Sequence, residues 1–212
     1  MGAELGRSPT PGKQVITDNL EARVQAHIRE SVAVKEALLR DGELIRLVAE
    51  VGRDLAAALR GGHRAFLFGN GGSAADAQHI AAEFVGRFKL ERPGLPVVAL
   101  TVNTSTLTAI GNDYSFEAVF ARQVEALGSA GDVALAISTS GNSPNVLRAV
   151  EAAKRKGMAS VGLTAQAGGQ LKRLADRCIC VPSTDTPRVQ EAHILIGHIW
   201  SEIVETELFG GS

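Results

Sequence analysis

The sequence predicts a three-layer α/β fold, with helices packed on both faces of a parallel sheet. Three observations predict it. Short apolar strand segments alternate with helical ones from about residue 65 onward. Two of those strands, leading into FGNGGSAA and ISTSGNSPN, break into Gly-Asn turns that restart as helices. The chain's 212 residues, 45% of them hydrophobic, suffice for the core of one domain with embellishments.

The elements follow in order. Residues 1–14 are a polar, Pro/Gly-containing and flexible lead, and a single domain spans residues 15–212. Helical periodicity runs from Ile16 to Arg60 through Leu20, Val24, Ile28, Val34, Leu38, Ile45, Val48, Val51, Leu55 and Leu59, giving two or three helices over residues 15–60. A sheet core over residues 61–186 then places strands at Ala65–Phe68, Pro96–Thr101, Asp132–Ser138, Ser160–Thr164 and Cys178–Val181. Helices are predicted at Ala74–Phe88 and Pro144–Lys156, with shorter pieces near Thr104–Ile110, Phe116–Leu127 and Gly169–Ala175. A final helix covers residues 187–208, with Thr186 as its cap and Pro187 as its start.

Composition removes several function classes. The 22 basic and 23 acidic residues nearly cancel, and no basic block interleaved with aromatics exists, so nucleic acid is not an expected ligand. No run of 18 apolar residues occurs, the N-terminal MGAELGRSPTPGKQ has no apolar signal-like stretch, and the expected location is the cytoplasm. Cys178 and Cys180 share one face of a strand, where pairing is strained, and read as buried thiols.

The chemistry concentrates between Phe66 and Glu83, FLFGNGGSAADAQHIAAE. Gly69, Gly71 and Gly72 let the backbone turn tightly beside a ligand, and the helix that follows aims free N–H groups and a positive dipole end at it. His79 and Glu83 are four apart, on one helix face with about 6 Å of rise between them. That spacing suits acid/base work or a metal. In the second loop, Ser138, Thr139, Ser140 and Ser143 gather around Gly141 just before Pro144, with Ser143 as N-cap. Hydroxyls converging on a helix N-terminus without Lys or Arg describe a phosphate-monoester site.

Two common phosphate ligands are disfavoured. Gly69, Gly71 and Ala74 satisfy G-x-G-x-x-A, but the next strand ends in Thr101-Val102-Asn103 with no acid for a ribose hydroxyl, and no P-loop sequence is present. No nucleotide cofactor is expected, which leaves a small sugar phosphate.

GNGGS, H-x-x-x-E, GND, ISTSGNS and Q-E-x-x-x-x-x-x-H in the last helix together resemble the phosphoheptose isomerases, sedoheptulose 7-phosphate isomerases of the sugar isomerase (SIS) fold, from about Val15 to Phe209. The resemblance implies a flavodoxin-like, five-stranded parallel sheet and a homotetramer with active sites at subunit interfaces. It implies isomerisation of D-sedoheptulose 7-phosphate to D-glycero-D-manno-heptose 7-phosphate, toward heptose for bacterial surface glycans such as lipopolysaccharide. By motif, Asn70, Gly71, Gly72 and Ser73 fall on the first substrate loop, Asn112 and Asp113 on the GND segment, and Ser138, Thr139, Ser140 and Ser143 on the phosphate loop. Arg87 matches an arginine that contacts substrate across the interface, and Gln190 a substrate contact.

Moving a carbonyl between neighbouring carbons through an enediol needs two acid/base groups, for which Glu83 and His198 are the candidates. His79, Glu83, Gln190 and His198 also resemble the family's zinc ligands, one zinc per subunit; His and Glu acting without metal is the alternative. Gln190 and His198 stand eight apart, about 80° round their helix. His193 is assigned to packing or solvent, and His27 and His63 to structural or exposed positions. Two other functions fit parts of the pattern: an isomerase of another sugar phosphate, and a non-catalytic relative that binds the replication initiator. The second would have no need of Glu83 and His198 together.

Overall fold

The structure, a computed structural model, describes residues 19–211, so the expected lead over residues 1–14 lies outside them. Two helices come first, α1 (Leu20–Arg40) and α2 (Gly42–Arg60). Asp41 separates them, accepting from Glu43 N and Leu44 N at 3.1 and 3.0 Å to cap α2. The sheet follows as β1 (Ala65–Gly69), β2 (Val97–Ala99), β3 (Val133–Ile137), β4 (Ala159–Ala165) and β5 (Arg177–Val181), all parallel in the order β2-β1-β3-β4-β5. Between them run α3 (Gly72–Val85), α4 (Thr104–Asp113), a 3₁₀ turn (Phe116–Ala118), α5 (Ala121–Leu127), α6 (Pro144–Arg155) and α7 (Leu171–Leu174); α8 (Thr186–Phe209) closes the fold.

Alternation along β1 explains the three layers. Ala65 and Leu67 join Leu55 of α2, Ile80 and Phe84 of α3, and Val189, Ile196 and Trp200 of α8 in one core. Phe66 and Phe68 point the other way, onto Val124 of α5 and Val146 and Val150 of α6. Strands buried on both faces therefore read as unbroken apolar runs. Trp200, fully buried, donates its indole N–H to Val48 O at 3.0 Å and pins α8 to α2.

Several bounds differ from expectation. β2 is half the predicted length, an edge strand paired only with β1. α3 starts two residues earlier than predicted and stops at Val85 rather than Phe88. The N–H groups that would have extended it, those of Phe88, Lys89 and Leu90, donate instead to the carboxylate of Glu205. Thr186 is the first residue of α8 and Asp185 occupies the cap position. Cys178 and Cys180 are half-buried rather than buried, because β5 is the other edge of the sheet.

Glu205 is 2% exposed and pairs with Arg92 at 3.0 Å. Burial alone would raise its carboxyl; the N–H groups of Lys89, Phe88 and Leu90 and the Arg92 charge outweigh that and hold it below the usual glutamate value. A depressed folded-state pKa contributes stability above the unfolded value and loses it as pH falls through the folded one. The stability difference between wild type and Glu205→Gln is therefore expected to be widest above about pH 4.5 and to narrow on further acidification. Chemical denaturation across that range checks this; a difference constant with pH would contradict the assignment.

Candidate active site

The strand order reverses between β1 and β3, which lie side by side from Ala65↔Val133 to Gly69↔Ile137. The loops leaving their carboxyl ends are thus neighbours at the crevice where open α/β sheets gather ligands. A reciprocal amide pair ties them: Asn70 Nδ2 donates to Asn145 Oδ1 and Asn145 Nδ2 to Asn70 Oδ1, each at 2.8 Å. Asn145 is 2% exposed and sits in the first turn of α6. The sequence reading passed over it, although it follows Pro144 directly.

In the second loop the hydroxyls meet as expected. Ser138 Oγ lies 3.0 Å from Ser143 Oγ and 3.4 Å from Ser140 Oγ. Ser143 holds the N-cap position but makes no side-chain cap bond, because its hydroxyl turns to Ser138. Thr139 is anchored through its carbonyl, which accepts from Ala165 N at 3.1 Å and from the Thr164 hydroxyl at 3.4 Å. Gly141, at φ +65°, gives the turn that folds these hydroxyls inward.

The reactive cluster forms where α3 crosses α8. Gly197 lets the helices touch, since a Cβ there would lie inside the Ile80 side chain. The adjoining residues on the two helices, His79 and His198, consequently come together. His79 Nε2 is 3.0 Å from Glu83 Oε1 and 3.3 Å from His198 Nε2, and His198 Nε2 is 4.0 Å from Glu83 Oε1. The side chains of Glu83 and His198 are 22% and 35% exposed, so the cluster faces solvent on one side. Gln190, eight residues before His198 on α8, sets its amide against the position a Gly72 Cβ would occupy at the start of α3. Phe88 stacks on His198 with ring centroids 5.5 Å apart.

These spacings fit a cation. Tetrahedral zinc with ligands at 2.0–2.1 Å separates its donors by about 3.3 Å, and the three donor atoms here span comparable distances.

Other predicted positions stay apart in the single chain. Asn112 and Asp113, exposed at the end of α4, bond to each other at 2.9 Å, and exposed Arg87 pairs with Glu91 at 3.8 Å. Ser73 is buried behind Gly69. His193 is fully buried with Nε2 3.3 Å from Thr164 O, and burial lowers its pKa to about 4, so it is a neutral packed histidine as expected. His27 is exposed against Glu30, and His63 lies 3.8 Å from Asp132. Asp76 was not anticipated. Burial pushes its carboxyl up to about 6, partly countered by the neighbouring His79, and its buried Oδ2 lacks a hydrogen-bond partner among the described residues. Its place one turn before His79 was the available signal.

Known proteins match most of this chain. A family model described as the SIS domain matches residues 30–165. Phosphoheptose isomerase 2 of Campylobacter jejuni is 55% identical over 193 residues, 91% of this chain and 96% of that protein. The solved structure of a phosphoheptose isomerase from Neisseria gonorrhoeae superposes with a TM-score of 0.83 at 42% identity, covering 89% of this chain and all of that one. One from Francisella tularensis gives a TM-score of 0.85 at 34% identity, covering 89% and 99%. Among the described residues, no helix is long and apolar enough to cross a membrane.

Proposed function

The chain belongs to the phosphoheptose isomerases of the SIS-domain family, and from that premise we propose that it converts D-sedoheptulose 7-phosphate to D-glycero-D-manno-heptose 7-phosphate, in heptose biosynthesis for surface glycans. The observation that carries this reading is the convergence of His79, Glu83 and His198 in a fold whose two glycine-rich loops are joined by Asn70 and Asn145.

The phosphate is received by Ser138, Thr139, Ser140 and Ser143 at the start of α6, where hydroxyls and the helix end hold an anion without a cationic side chain. In this reading Asn70, Gly71, Gly72 and Gln190 contact the sugar, and Ser73, buried behind Gly69, contributes through the first loop's backbone. One group of the Glu83–His198 pair removes the C1 proton of the ketose, leaving an enediol(ate). A hydroxyl proton passes from O1 to O2, and return of a proton to C2 leaves the aldehyde at C1. Two groups 4.0 Å apart suit transfers between adjacent carbons, and the substrate's atoms and electrons are conserved throughout.

His79, Glu83 and His198, with Gln190, would hold zinc. When bound it would supply Lewis-acid polarisation of the carbonyl oxygen. Protein purified without chelators is expected to carry about one zinc per chain. A zinc-free preparation whose rate is unchanged by added zinc would reject the metal.

We also assign a homotetramer with interface active sites. Leu20, Val24, Ile28 and Val32 leave an apolar stripe along α1, 48–66% exposed, and Arg87, Asn112 and Asp113 remain exposed for a shared site. We assign a single domain over residues 15–212 and a cytoplasmic location, the latter in accord with a charged, membrane-impermeant substrate. Incubation with sedoheptulose 7-phosphate should yield the aldose; absence of turnover there, with turnover of another ketose phosphate, would redirect the assignment.

A further inference from the structure

The segment between α3 and β2 contains a buried ion pair that the reaction itself does not use. The side chains of Arg92 and Glu205 are 1% and 2% exposed and meet at 3.0 Å. Arg92 donates to four carbonyls: Glu83 O at 2.7 Å, Phe84 O at 2.6 Å, Gly86 O at 3.1 Å and Pro93 O at 3.1 Å. The first two belong to the last turn of α3, whose carbonyls have no partner within the helix. Glu205 accepts from Phe88 N at 2.8 Å, Lys89 N at 2.8 Å and Leu90 N at 3.1 Å.

Each end of this arrangement leads to the reactive cluster. Glu83, whose carbonyl Arg92 holds, carries the carboxylate of the pair. Glu205 lies seven residues after His198, within about 20° of it round α8 and so on the same helix face. Phe88, whose N–H Glu205 holds, stacks on the His198 ring at 26° between planes. Lys89, whose N–H Glu205 also holds, pairs with Glu202 at 2.8 Å and sets its ammonium 5.6 Å from the Phe88 centroid. Were cohesion the only requirement, a well-packed apolar pair would serve as well as buried charges. An apolar pair could not fix a carbonyl of residue 83 and an amide of residue 88 together.

We propose that Arg92 and Glu205 are positioning residues for the isomerisation, setting Glu83 on α3 against His198 on α8 and bracing His198 through Phe88. The proposal rests on the isomerase reading above for its kinetic test. Its geometric test is independent of that reading.

Glu205→Gln replaces one carboxylate oxygen with an amide that opposes two N–H donors, which releases one side of the 86–92 segment. The expected result is a kcat lowered about 10- to 100-fold with KM held within about threefold, as a small misplacement of reacting groups produces. In the same variant, free of substrate, the His198 ring ¹H–¹³C resonances, assigned with His198→Gln, should shift although Phe88 is unchanged. A folded Glu205→Gln enzyme with wild-type kcat, or with His198 resonances unmoved, overturns the proposal. Where Glu205→Gln does not fold, Phe88→Leu and Phe88→Tyr decide. The leucine is expected to lower kcat at constant KM and the tyrosine, which keeps the ring, to restore most of it; equal kcat in wild type and Phe88→Leu overturns the proposal. Should the wild type turn over no sugar phosphate, the isomerase reading fails, and the His198 resonances alone judge the positioning.

Discussion

Glu83→Gln is expected to lower kcat by about 10²- to 10⁴-fold with the fold intact, and His198→Gln to do the same. Glutamine keeps the shape of Glu83 and an acceptor oxygen toward His79, but it cannot take a proton from carbon. Both side chains reach solvent at one edge of the α3–α8 crossing, so a substrate can lie against them. The double variant should be little slower than the worse single one, because two groups that hand a proton across one intermediate act as a unit. Zinc distinguishes the roles of Glu83. A residue that only holds metal leaves a variant that excess zinc restores; a base at carbon leaves one that it does not. Single-turnover conversion of sedoheptulose 7-phosphate with and without added zinc measures this, and a Glu83→Gln enzyme restored by zinc would remove Glu83 from proton transfer.

Much of this arrangement was legible in the chain because it is local. Strands buried on two faces announce themselves as apolar runs, and FLFGNGGSAA and ISTSGNSPN carry their turns within a few residues. His79 and Glu83 share a helix face by spacing alone, and the structure places them 3.0 Å apart. What pairing across the fold decides was less visible. His198 meets His79 over 119 residues because Gly197 thins α8 at one point, and one glycine in an apolar helix carries no signal by itself. The early end of α3 depends on Glu205, whose carboxylate takes three amides from a segment 115 to 117 residues away. Sequence placed Ser143 correctly at the N-cap, yet its hydroxyl serves Ser138 instead of the helix, a choice set by the folded loop. Asn112, Asp113 and Arg87 were identified by resemblance alone, and the pairs they make among the described residues are with close neighbours in sequence.

Gly141→Ala is expected to weaken the phosphate end of the site more than any change of a single hydroxyl. Two costs add. At φ +65° an alanine sits in the left-handed region, at roughly 1–2 kcal/mol. Its Cβ would also overlap the Gly168 carbonyl oxygen and lie 2.9 Å from the Thr164 hydroxyl. The backbone there has little freedom to give way: Leu171 N donates to Gly141 O at 2.9 Å and Gln170 N to Asn142 Oδ1 at 3.0 Å, so residues 138–143 and 168–171 interlock. Gly168 and Gly169 are themselves at φ +74° and +57°. Relief must come from moving the 138–143 loop, which parts Ser138 from Ser140 and Ser143. Binding energy at the phosphate also positions the distant carbonyl, so kcat should fall along with affinity, and kcat/KM by about 10²-fold. Gly157→Ala separates strain from function. Gly157 has φ +72° and its Cβ would stand 3.3 Å from Ala130, away from both loops. It should lose stability and keep its kinetics, measured by thermal denaturation and by turnover. A Gly141→Ala enzyme with unaltered KM would mean that the phosphate is held elsewhere than at this helix end.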